Sequence, residues 1–118
     1  MQLYRTDEIT EVADTSPIFV GNVTKKEMVT DENPGLLRVN LVTFHDGARN
    51  KLHHHEVDQV LVVTTGSGIV ANEIDELSVS PGDVILIPAG ERHWHGAQSG
   101  QDFAHLSVLT PGAMTIDE

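Results

Sequence analysis

The 118 residues predict an all-β fold, a sandwich or small barrel, on three observations. Apolar residues come in short runs rich in Val, Ile and Leu, spaced as many short strands would be. Gly, Pro, Asn and Asp interrupt those runs at regular intervals. No long window carries the 3.6-residue apolar period of an amphipathic helix.

The elements follow in order. Residues 1–33 are weakly patterned apart from Pro17-Ile18-Phe19-Val20, and are expected to form edge strands or an arm against a partner subunit. Within them, Thr24 to Asp31 is expected to make one polar helical turn. Leu36 to Phe44 reads as a strand between the turn signals Asn33-Pro34-Gly35 and Asp46-Gly47. Val57 to Val63 reads as the next, stopped by Gly66-Ser67-Gly68. Leu77 to Val79 and Val84 to Ile87 flank a Pro81-Gly82-Asp83 turn. Phe103 to Leu109 is the last strand, closed by Pro111-Gly112.

A chain of this length forms one domain with a real core, since domains cluster at ~100–150 residues. It contains no cysteine, which excludes disulfide frameworks, thiolate metal sites and cysteine nucleophiles. Seven Lys and Arg oppose eighteen Asp and Glu, a formal net charge of -11, so there is no basic surface for nucleic acid or an anionic membrane. No apolar run approaches the ~20 residues of a membrane span, and no cationic-then-apolar leader is visible. A cytoplasmic location is the expectation.

The seven histidines carry the functional signal. His53, His54 and His55 are consecutive, His93 and His95 flank Trp94, and His45 and His105 stand alone in or beside predicted strands. Side chains alternate along a strand, so His53, His55 and Gln59 share one face while His54 points the other way. Two imidazoles and an amide oxygen on one face suit a divalent first-row metal completed by a further ligand, for which His93 is the candidate. His95 shares the parity of His93. Trp94 is expected to point away and pack, and Arg49 to make a surface ion pair.

These residues resemble the two motifs of the cupin superfamily. The first reads Gly47, five residues, His53-His54-His55, three residues, Gln59, six residues, Gly66. The second reads Gly82, five residues, Pro88-Ala89-Gly90, two residues, His93, three residues, Ala97. Gln59 stands where the superfamily usually has Glu, and Ala97 where it usually has Asn. The resemblance implies a single cupin domain over 1–118, a jelly-roll-like barrel of two antiparallel sheets (a double-stranded β-helix). Motif 1 falls at about 47–66 and motif 2 at about 82–97. It implies a metal held by His53, His55, Gln59 and His93.

A narrower resemblance, carried by Gly47-Ala48-Arg49, by Gln59 and by His93-Trp94-His95-Gly96-Ala97, is to small manganese-binding cupins with hydroxynitrile lyase activity. It implies Mn first among Fe, Ni, Co, Zn and Cu, catalytic roles for His95 and His105, and a cavity lined by Asn40, Val42, Asn50 and Leu109. Asn50 and Leu109 depart from that group, which typically has Thr and Gln there.

The exchange of Glu for Gln leaves the full divalent charge uncompensated at the site. Such an ion polarises an oxygen ligand more strongly and reaches higher oxidation states less readily, which favours Lewis-acid chemistry over oxygen activation. The expected function is a lyase acting on a small hydroxylated or carbonyl substrate, with His105 as general base or acid near neutral pH. A dioxygenase using Fe, Cu or Ni and a non-catalytic small-molecule or metal-binding barrel are the alternatives. A homodimer or higher homo-oligomer is expected.

Overall fold

The computed structural model describes residues 1–118. After a short 3-10 turn, Thr6–Glu8, eleven strands follow. They are β1 (Val12–Ala13), β2 (Phe19–Val29), β3 (Arg38–Asn50), β4 (His53–His55), β5 (Gln59–Gly66), β6 (Gly68–Asn72), β7 (Glu76–Val79), β8 (Val84–Ile87), β9 (His93–Ala97), β10 (Phe103–Leu109) and β11 (Met114–Ile116). The all-β expectation holds.

Every pairing is antiparallel. One run is ordered β1-β2-β3-β10-β5-β8 and the other β7-β6-β9-β4-β11, joined where Arg49 of β3 meets Gly96 of β9. The sheet thus curls into a barrel. Its core takes one or two residues from most strands: Val23, Phe44, Leu61, Val63, Val70, Ile87 and Phe103 among them. The registers fix which side chains share the interior. Phe44 pairs with Phe103, Val42 with His105 and Asn40 with Ser107, while Ser107 pairs with Leu61 and Leu109 with Gln59. Asn40, Val42, His105, Ser107, Leu109 and Gln59 therefore stand on one face, continuous with the apolar core.

The helical turn expected over Thr24 to Asp31 does not form. Those residues up to Val29 continue β2, which pairs with β3 over nearly its whole length. A bulge between Glu27 and Val29 breaks the alternation that would have marked a strand. The Asp46-Gly47 turn signal also acts otherwise than expected. Both residues adopt positive φ, 49° and 75°, so they kink β3 instead of ending it. The kink lets one strand serve β10 with its first half and β9 with its end. Gly96 makes that second contact possible, since a Cβ there would lie 2.5 Å from the Arg49 Cβ.

Candidate metal centre

β4 and β9 meet at a single register pair, His53 opposite His93. Three imidazoles converge there, with one ligating nitrogen from each of His53, His55 and His93 lying within 4.8 Å of the others. The ring centroids of His53 and His93 are 4.2 Å apart, and those of His53 and His55 5.0 Å. Gln59 reaches the interior by a different route from the one its parity suggests. It opens β5, beyond a bend at residues 56–58, so two strands and not one bring His53, His55 and Gln59 to the same face.

The hydrogen bonds orient these groups. His53 Nδ1 donates to the Lys51 carbonyl at 2.7 Å, and His93 Nδ1 to the Glu91 carbonyl at 2.8 Å. Each bond fixes the tautomer that leaves Nε2 with a lone pair. Gln59 Nε2 donates to Ser107 Oγ at 2.9 Å, which turns Oε1 away from that bond. His55 Nε2, His93 Nε2 and Gln59 Oε1 are buried with no hydrogen-bond partner. Orphaned buried acceptors cost free energy unless something meets them. Burial, and then the neighbouring His93 ring, push the His53 pKa down to about 4. The same two causes bring His55 to about 4, and burial lowers His93. All three rings are neutral at pH 7, the form that ligates. This donor set, nitrogen and amide oxygen buried without a protein partner, fits a divalent transition metal.

A second pair of buried histidines lies beside the first group. The His95 ring centroid is 5.7 Å from His93 and 5.9 Å from His53. His105 Nδ1 donates to the Leu106 carbonyl at 3.2 Å, so its Nε2 is the acceptor of the 3.1 Å bond from His95 Nδ1. His95 Nε2 in turn accepts from Asn50 Nδ2 at 3.1 Å, while Asn50 Oδ1 takes the His95 backbone N–H at 2.8 Å. Asn50 is thus clamped to His95 by both ends of its amide. Burial lowers the pKa of His105 to about 4 and that of His95 well below its usual value. Phe44 walls the pair, its ring centroid 5.6 Å from His95 and 5.8 Å from His105.

The remaining candidates fall as follows. Asn40 also lines a cleft of ≈760 Å³ with Tyr4, Glu27, Asp31 and Arg38, which none of His53, His55, His93, His95 and His105 lines. Its Oδ1 is buried without a partner. Val42 packs against the core, and Leu109 sits half-buried opposite Gln59. His54 faces the other way and bonds Asp117 at 2.7 Å. Arg49 pairs with Glu118 at 3.3 Å and lies 5.8 Å from the Trp94 ring centroid.

Two contributors escaped the sequence reading. Ser107 orients Gln59, and only its even spacing from His105 could have pointed to it. The strand β11 pairs along β4, placing Thr115 opposite His54 and Ile116 opposite His53, so the chain's end braces the ligand strand. Replacing Ser107 with Ala leaves the Gln59 amide free to rotate. Affinity for Mn²⁺ is expected to fall about 10-fold, the lower end for loss of an orienting group. Titration calorimetry reads this directly, and an unchanged affinity would remove Ser107 from the site.

Comparison with known proteins agrees with this architecture. The cupin domain family matches residues 40–109. The (R)-mandelonitrile lyase of Granulicella tundricola is 37% identical over 93 residues, covering 76% of this chain and 70% of that protein. An acireductone dioxygenase of Exiguobacterium sibiricum is 29% identical over 94% of this chain and 61% of its own length. Among solved structures, a cupin-like protein from Thermotoga maritima has a TM-score of 0.82 and 35% identity, covering 88% of this chain and 82% of that one. A family match spanning more than half the residues, on a barrel that carries both histidine motifs on its inner face, makes this chain a member of the cupin family.

Proposed function

We propose that the protein is a metal-dependent lyase that cleaves a carbon–carbon bond in a small α-hydroxy compound, of the cyanohydrin type, or forms it from a carbonyl compound. The observation that carries this reading is the adjacency of two groups. One is a set of neutral nitrogen and amide-oxygen donors with buried, unused lone pairs. The other is a neutral His95–His105 pair hydrogen-bonded at 3.1 Å. His53, His55, Gln59 and His93 hold the ion, Mn first, with Fe, Ni, Co, Zn or Cu acceptable to the same donors. When bound, it supplies Lewis-acid polarisation of the substrate oxygen.

The chain's own residues do the proton work. His95 Nε2 takes the substrate hydroxyl proton where the hydroxyl replaces the Asn50 amide, and the His95 Nδ1 proton passes to His105 Nε2. As the carbonyl forms, the bond to the nitrile carbon breaks and its electron pair leaves with cyanide. Return of the proton along the same pair gives hydrogen cyanide. Phe44 and Phe103 keep water from the pair. Asn40, opposite Ser107 on the face that carries His105, has an unpartnered buried carbonyl oxygen that can accept from a substrate donor. The likeness to a mandelonitrile lyase supports the reaction class.

The test is metal analysis of the purified protein, followed by mandelonitrile cleavage in the reconstituted form. Near-stoichiometric metal with release of benzaldehyde and cyanide is expected. Oxygen consumption with an acireductone and no cyanohydrin cleavage would replace this reading with a dioxygenase. His105→Ala removes the acceptor of the His95 proton and is expected to keep its metal and lose turnover by about 10²-fold or more, the usual contribution of a proton-transfer group. Undiminished cleavage would deny His105 its role.

A further inference from the structure

Backbone hydrogen bonds seal the barrel along one edge only. There β3 joins the two runs, pairing with β10 and, at Arg49 opposite Gly96, with β9. At the other edge the runs end in β7 and β8, which follow one another in the chain but do not pair. A cleft of ≈90 Å³ opens between them. Its inner end is formed by the buried residues Val70, Ile87 and His93, and its rim by the exposed residues Asp75, Leu77 and Glu91. Leu77 lies opposite Val70, on the inward side of its strand, and is nevertheless 51% exposed. The seam is thus closed by side chains alone. His93 is 1% exposed and its Nε2 has no partner. The clefts at Asn40, Asp14, Glu11 and Leu37 are larger, yet none of them is lined by His53, His55, Gln59 or His93.

We infer that this seam is the entry route of the metal ion, with Asp75 and Glu91 at its rim as a transient capture site for a divalent cation. The inference rests on the metal-dependent reading above. Carboxylate oxygens suit an incoming hydrated Mn²⁺, whose water ligands they replace in kind, and imidazole nitrogen receives it at the inner end. Val70 and Ile87 are aliphatic and offer no donor in between. Neither rim carboxylate is taken by a cation: Arg92, beside Glu91 in the chain, pairs instead with Glu73 at 3.7 Å and Asp117 at 3.6 Å. The charge of Glu91 also reaches His93. Burial lowers the pKa of that ring, and the Glu91 backbone and carboxylate both oppose the lowering. A cleft with charge of one sign and apolar walls focuses the field at its mouth and speeds association by ~10–10³-fold. Groups that act along the path change entry and exit together and leave the affinity almost as it was.

Stopped-flow uptake of Mn²⁺ by the metal-free full chain at low ionic strength, read with a fluorescent metal indicator, tests this. Release is read by a chelator chase and affinity by calorimetry. Asp75→Asn is expected to slow uptake about 10-fold, the lower end for electrostatic steering, and release by a similar factor, so that the affinity moves less than about 3-fold. The difference is expected to vanish at about 1 M salt, where the screening length is ~3 Å. Leu77→Trp, which covers the mouth with a larger ring, is expected to slow uptake and release alike. Glu32→Gln makes the same charge change in the cleft at Asn40 and is expected to leave both rates within about 2-fold of the parent. Equal uptake rates in parent and Asp75→Asn, an equal slowing in Glu32→Gln, or a loss of affinity through faster release would overturn the inference and leave the metal site in place. A parent that takes up no ion would overturn the metal reading itself, and the route with it.

Discussion

Replacing His93 with Ala is expected to abolish stable metal binding while leaving the barrel folded. His93 is the ligand candidate contributed by the second histidine motif, and it sits at the one register pair between β4 and β9. Its Nε2 is buried with no partner, while its Nδ1 is spent on the Glu91 carbonyl. Removing the ring therefore removes a donor atom that nothing nearby can replace, since the adjacent His95 is held by Asn50 and His105. Loss of an orienting group costs ~10–100-fold in metal affinity, and loss of the donor itself should exceed that, about 10³-fold or more. The fold tolerates the change because Ala deletes an unsatisfied buried acceptor as well as volume. Metal content after gel filtration and Mn²⁺ titration check the first half, and the metal-free melting curve checks the second. A His93→Ala protein that still retains stoichiometric ion would place the metal elsewhere. The same loss of metal accompanied by unfolding would mean that His93 is a packing residue.

Much of this was legible in the residues. Val84–Ile87 and Phe103–Leu109 coincide with strands in the structure because each is a mostly apolar run with a Gly or Pro stop close by. The two histidine clusters revealed the inner face, because alternation along β4 and β9 places His53 with His55 and His93 with His95 whatever the rest of the chain does. What stayed hidden depends on contacts distant in sequence. β2 is strand because β3 lies beside it, and its Thr24-Lys25-Lys26-Glu27 stretch has no apolar alternation to announce this. The kink at Asp46 and Gly47 has the composition of a hairpin turn, and only the second partner, β9, makes it a bend within one strand. Ser107 carries no motif of its own, and Asn50 is expected as a cavity residue but not as the partner of His95. Their roles come from the hydrogen bonds to Gln59 and His95, 48 and 45 positions away.

Acidification is expected to destabilise the metal-free protein steeply between pH 6.5 and pH 4, and to release the metal from the loaded form over the same range. His53, His55 and His105 have folded-state pKa values of about 4, mainly because burial disfavours the charged ring. His93 and His95 are lowered for the same first reason. In the unfolded chain each returns to about 6.5. Between these values the unfolded state binds more protons than the folded state, so stability rises with pH, is complete above the unfolded value and is lost as pH falls towards the folded one. A fully buried ring such as His105 loses about 2 kcal/mol between pH 7 and pH 5, and the less deeply buried His53 and His55 lose less. Together they amount to several kcal/mol, against a total of about 5–15 for a domain. The metal-free melting temperature should drop by roughly 10 °C or more over that interval, at about 4 °C or more per kcal/mol for a chain near 100 residues. A bound ion holds the Nε2 lone pairs against protons, so the loaded protein should resist down to a lower pH and then lose ion and stability together. Melting curves at half-unit pH steps, with and without Mn²⁺, give both results. A metal-free melting temperature that is flat from pH 7 to pH 5 would mean that water reaches the rings and lets them charge in place. The buried, neutral donor set on which the lyase reading rests would then be gone.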